Sequence, residues 1–124
     1  MKTISFSWTV PALLAGHKTV TRREWKETWA KQFYAGEIVA AYDKATYLGG
    51  KQVATIELLQ APYQERTSQA PPGDYDREGL AWMEQQQLTI QGLSPRAFWD
   101  QWLAEDLPVW VVRFKVLEVA NAKT

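Results

Sequence analysis

Twelve residues near the C-terminal end, Pro108 to Val119, read Pro-Val-Trp-Val-Val-Arg-Phe-Lys-Val-Leu-Glu-Val and set Val112, Phe114 and Val116 against Arg113 and Lys115. Alternation at period two sends neighbouring side chains to opposite faces of an extended chain, so this run commits the molecule to a sheet with one apolar face. The other elements are shorter. Residues 2–8 put Ile4, Phe6 and Trp8 on one side of an opening strand. Thr9 as an N-cap, Pro11 in a first turn, Leu13 and Leu14 as the apolar face and Gly16 at a left-handed end predict a helix of barely two turns.

Residues 19–25 begin β-branched and predict a short strand or extended segment, followed by a helix from Lys26 to Phe33 and a turn at Gly36. Glu37 to Tyr42 and Gln52 to Leu59 predict two strands separated by the Gly49-Gly50 turn. Pro62 to Gly73 lacks periodicity and predicts a long surface loop, and residues 75–87 predict a helix. Ser94 and Pro95 open a second helix, with Phe98 and Trp102 at i and i+4. This order has no βαβ rhythm, which argues against a doubly wound parallel sheet. It predicts an α+β chain, a small, mostly antiparallel β-barrel with peripheral helices, as a single domain over residues 1–124.

The chain has 124 residues, 14 basic and 14 acidic side chains, one histidine and no cysteine. The absence of cysteine excludes a disulfide scaffold, a thiolate metal site and a cysteine nucleophile, and a single histidine excludes His-rich metal centres. No metal and no cofactor are expected, so chemistry would fall to Lys, Thr, Ser, Tyr or carboxylates. With no apolar run of about 18 residues and no apolar leader, the expectation is a soluble, cytoplasmic protein without membrane contact. Oligomeric state is not legible.

Charge is balanced overall but not locally. Residues 17–31 hold Lys18, Arg22, Arg23, Lys26 and Lys31 against Glu24 and Glu27. The bland interpretation is a solvated edge that discourages strand pairing. His17, beside Gly16, is expected at the surface. Spacing alone leaves both interpretations of the basic segment open.

The run Leu14-Ala15-Gly16-His17-Lys18-Thr19-Val20-Thr21-Arg22-Arg23 resembles the Leu-x-Gly-x-Lys-Thr-x-[Thr/Glu]-x-Arg motif that opens ASCH domains, the ASC-1 homology family. The opening strand, the late helices and the Trp110 to Phe114 strand are similar to that family's arrangement, so the resemblance spans most of the chain. It implies a PUA-like β-barrel with a cleft for RNA or a modified nucleoside. Some small relatives of this kind remove an acyl group from the exocyclic nitrogen of N4-acetylcytidine with a Lys, a Thr and a Glu, and others are ribonucleases. By motif, the Lys corresponds to Lys18 and the Thr to Thr21. The Glu corresponds to Glu78, in Arg77-Glu78-Gly79, with Glu84 as the fallback.

These residue types can do amide chemistry. A threonine hydroxyl attacks only when a base takes its proton, and a lysine serves as that base only if its pKa falls from about 10.4 towards neutrality through burial or neighbouring cations. Glu78 can then protonate the leaving nitrogen and activate water. Trp8, Trp25 and Trp29 flank the motif as candidate stacking surfaces for a base, whereas Trp99, Trp102 and Trp110 are expected in packing. Two functions follow. The first is a binding module that holds RNA or a nucleoside in a cationic cleft through Lys18, Arg22 and Arg23. The second is a metal-independent amidohydrolase with Lys18, Thr21 and Glu78, with a ribonuclease as its weaker variant because a single histidine supplies no acid/base pair.

Overall fold

In the computed structural model residues 1–120 are described; residues 121–124 of the expected domain lie outside the described residues. Six strands build one curled sheet: β1 (Thr3–Ser5), β2 (Val20–Arg23), β3 (Ile38–Tyr42), β4 (Gln52–Leu58), β5 (Tyr63–Arg66) and β6 (Pro108–Val119). Their order is β1-β3-β4-β6-β2, with β5 also on β6. Among the described residues only the β1 and β3 pair is parallel; the other four pairings are antiparallel. The result is an α+β half-barrel.

β6 organises the sheet because it is long enough to serve several partners. Its second half, from Phe114 to Val119, pairs with β4, while its first half lies between β2 and β5. Val109, Trp110, Val111 and Val112 are all buried, so both faces are covered there, and alternation resumes only at Arg113 and Phe114. The apolar interior joins Ile4, Phe6, Leu13, Val39, Ile56, Leu58, Val112 and Phe114, the last stacked edge-on against Phe6 at 5.6 Å.

Among the described residues five α-helices lie outside the sheet: α1 (Val10–Leu14), α2 (Glu27–Ala30), α3 (Asp74–Arg77), α4 (Leu80–Gln85) and α5 (Pro95–Glu105). A second apolar cluster, with Tyr75, Leu80, Met83, Ile90 and Trp99, holds α3, α4 and α5 together. The Ser94 hydroxyl accepts the Ala97 N–H at 3.1 Å, the cap its sequence predicts for α5.

Three expectations are corrected. The opening strand stops at Ser5, because Ser7 turns to φ 43° and starts a 3-10 turn over Ser7–Thr9 that leaves Trp8 half-exposed. The loop expected over 62–73 contains β5, whose ladder to Val111 through Pro108 comes from tertiary pairing and not from its own nearly all-polar pattern. The helix expected over 75–87 is two helices. Gly79, at φ +88°, breaks it, and a Cβ there would meet the Ala12 Cβ at 2.5 Å, so the close approach of α1 also requires glycine. No helix among the described residues is long and apolar enough to cross a membrane.

Candidate functional site

The break at Gly79 matters because Glu78 is the residue before it. The Thr19 N–H donates to the Arg77 carbonyl at 2.8 Å, and the Thr19 carbonyl accepts from the Phe114 N–H at 3.0 Å. One residue thus ties the start of β2 to β6 on one side and to the end of α3 on the other. Lys18 and Glu78, sixty positions apart, are thereby brought together. The Lys18 ammonium donates to Glu78 Oε1 at 2.7 Å and to the Glu78 backbone carbonyl at 3.1 Å.

Lys18 is among the most deeply buried side chains, at 1% exposure. Burial pushes its ammonium below the ordinary lysine range; the Glu78 carboxylate pulls the other way, and the Arg23 and Arg22 charges add to the depression. The second oxygen of Glu78 accepts from Arg22 Nη1 at 2.7 Å. Both carboxylate oxygens are therefore occupied by cations from the one motif.

Arg22 is a hub. Its Nη2 meets Asp74 Oδ2 at 2.5 Å, and its Nε and Nη2 meet Glu65 Oε1 at 3.2 and 3.0 Å. Burial opposes its charge, yet Glu78, Asp74 and Glu65 together hold its guanidinium above the usual arginine range. Asp74, fully buried, also accepts from Arg113 and Arg77. Burial alone would raise its pKa, but the hydrogen bonds from Arg113 and Arg22 prevail and lower it to about 2. A buried charge left unpaired costs several kcal/mol. Two cations of the motif, Lys18 and Arg22, are thus met by carboxylates from 65–78.

Arg23 is arranged differently. Its Nε donates to Thr21 Oγ1 at 3.1 Å and its guanidinium lies over the Phe6 ring at 5.2 Å, with no carboxylate partner among the described residues. Burial lowers its pKa to about 10, so it stays charged at neutral pH.

These groups share a cleft of about 140 Å³. Lys18, Thr21, Arg22, Arg23 and Glu78 form its polar part, and Phe6, Trp8, Leu80, Phe98, Trp99 and Trp102 its walls. Two lining residues, Ser7 at φ 43° and Gln91 at φ 53°, hold left-handed backbone without being glycine, a strain that clusters at functional sites. Of the residues singled out from sequence, Lys18, Thr21, Arg22, Arg23, Glu78 and Trp8 come together here. Trp25 and Trp29 do not: Trp25 stacks on Phe33 at 4.9 Å and Trp29 meets the same ring edge-on at 5.2 Å. Nearness along the chain misplaced them: Trp25 packs partly buried against the sheet core, and Trp29 stays exposed.

Glu84 accepts from the Tyr75 hydroxyl at 2.5 Å and is not part of the lining. His17 is exposed, its ring stacked on Trp82 at 5.5 Å. Trp99 and Trp102, expected only in packing, line the cleft as well; helical spacing on α5 gives the face they share but not what lies opposite it. Glu65, Asp74 and Arg113 were not anticipated from sequence.

No protein-family model matches the chain, and no curated protein sequence is similar to it. Among solved structures, the chain is similar to a protein of Enterococcus faecalis V583 assigned to the DUF984 family, with a TM-score of 0.58 and 14% identity over 96% of this chain and 77% of that one. It is similar also to an ASCH domain from Lactobacillus crispatus JV V101, with a TM-score of 0.53 and 19% identity over 94% of this chain and 79% of that one. The chain has the ASCH-domain fold.

Proposed function

We propose that the chain is an ASCH-family protein whose cleft takes one modified nucleoside and hydrolyses an amide on its exocyclic nitrogen, as the small N4-acetylcytidine deacylases that its motif resembles do. The observation that carries this reading is the buried contact of Lys18 with Glu78 beside Thr21 in an aromatic-walled cleft. Planar bases stack on aromatic side chains for about 1–3 kcal/mol each, and Trp8, Trp99 and Trp102 offer such faces. Binding of a polyanionic RNA backbone is the less favoured function, because Lys18 and Arg22 already hold carboxylates.

The chemistry follows from the short bond between Lys18 and Glu78. Transfer of the ammonium proton across it yields a neutral amine and a carboxylic acid, the two forms that acylation needs. The amine takes the Thr21 hydroxyl proton as Oγ attacks the amide carbon. The tetrahedral intermediate collapses, the carbon–nitrogen bond breaks with its electron pair going to nitrogen, and the Glu78 acid protonates that nitrogen. The ion pair is then restored. Water next loses a proton to the Glu78 carboxylate and attacks the acyl-threonine ester, and Thr21 leaves with the proton of Lys18.

Purified protein is to be incubated with N4-acetylcytidine and cytidine release followed by chromatography. Wild type turns over, and Lys18→Ala, Thr21→Ala and Glu78→Gln each lose at least a hundredfold while their melting curves remain cooperative. Saturable binding without turnover at high protein concentration would reduce the function to nucleoside binding alone.

A further inference from the structure

We infer that Arg23 is the oxyanion-stabilising residue of this site, its guanidinium bonding Thr21 Oγ and the developing carbonyl oxyanion at the same time. This rests on the amidohydrolase reading above and adds a catalytic group to it. Arg22 commits four of its five N–H donors to Glu65, Glu78 and Asp74, so its charge is already held by carboxylates. Lys18 places its ammonium on Glu78 and becomes neutral when it serves as base. Arg23 makes one side-chain hydrogen bond, and that bond goes to the nucleophile.

Among the described residues its terminal nitrogens have no protein acceptor, yet no buried side-chain nitrogen or oxygen there lacks a partner. Those nitrogens are therefore open to solvent, and the residue lines the cleft. Geometry then matches the transition state. A guanidinium presents parallel N–H donors that fit two oxygens borne on one carbon, as in a carboxylate. When Thr21 Oγ adds to the amide carbon and the carbonyl electron pair moves onto oxygen, that carbon carries two such oxygens. With Nε already on Oγ, the neighbouring Nη–H meets the oxyanion, and that contact is formed only as charge develops. The Phe6 face beneath the guanidinium fixes its plane.

The test uses the full chain with N4-acetylcytidine. Losing one oxyanion donor costs about 10²–10³ in kcat. Arg23→Ala is therefore expected to lower kcat by at least a hundredfold with KM changed less than threefold, and millimolar guanidinium added to that variant to restore part of the loss. Arg23→Lys, which keeps the charge and loses the fork, is expected to fall nearly as far and serves if the alanine variant does not fold. If wild type turns over and both variants keep kcat within threefold, Arg23 has no such role while the amidohydrolase reading stands. If wild type itself shows no turnover, both fall together.

Discussion

The two interiors of this protein are built from opposite materials. Between the strands, Ile4, Phe6, Leu13, Val39, Ile56, Leu58, Val112 and Phe114 form a wholly apolar interior. Where β2 and β5 face α3, Lys18, Arg22, Asp74 and Glu78 form a buried charge network that the partly buried Glu65 and Arg113 extend. Apolar burial is non-directional and tolerates small changes in shape, whereas a buried charge network holds only while every member is paired. One interior fixes the fold and the other holds Lys18, Arg22 and Glu78 in the lining of the cleft. The difference is that the second fails abruptly when a single member is removed.

The largest expected effect follows from Asp74, which accepts from Arg22, Arg77 and Arg113. Asp74→Ala removes the fully buried carboxylate that three guanidinium groups share, leaves Arg22 with Glu65 and Glu78 only, and is expected to cost about 3 kcal/mol in urea unfolding. A loss below about 1 kcal/mol would show that water replaces the carboxylate and that the network is not a second interior at all. Acid gives the next effect. Asp74 titrates at about 2 in the folded chain, below its ordinary 3.8. Its contribution, about 2 kcal/mol, is therefore complete above about pH 4 and disappears as pH falls towards 2. The acid limb of the stability curve should flatten in Asp74→Asn; an unchanged limb would assign acid sensitivity to other carboxylates.

The apolar interior should respond more mildly. Ile56, fully buried on β4, is expected to lose about 1 kcal/mol as Ile56→Val, through one missing methyl group and the small void it leaves. Turnover should be untouched, because Ile56 is not in the cleft lining. A variant that kept its stability but lost turnover would show the two interiors to be mechanically coupled.

The same contrast explains what the sequence reveals. β6 and α5 announce themselves because Val112, Phe114 and Val116, or Ser94 and Pro95, obey periodicity and capping rules that act over a few residues. Lys18, Thr21 and Glu78 were legible through a motif and its context. Asp74 and Glu65 were not: they pair with Arg22 across 52 and 43 positions, and no local rule links an acidic residue in one segment to a cation in another. β5 escaped for a related reason, since Tyr-Gln-Glu-Arg carries no apolar alternation and becomes a strand only because β6 offers it an edge. Gly79 was visible as a residue, but the approach of Ala12 that requires it is a tertiary fact.

The smallest expected effect is the most discriminating. Lys31 Nζ lies 2.5 Å from Glu27 Oε2, the same separation as Arg22 Nη2 from Asp74 Oδ2. The first pair is 66% and 60% exposed at its side chains, and the second 1% and 0%. If distance governed these interactions, the two would matter equally. Burial governs instead, because water screens the surface pair and solvates whichever partner remains, while the buried partner has no such recourse. Lys31→Ala should therefore change stability by less than about 0.5 kcal/mol, and that difference should shrink further in 1 M salt. A loss matching that of Asp74→Ala would mean that contact distance alone sets the energy, and the distinction between the charged interior and the charged surface would disappear.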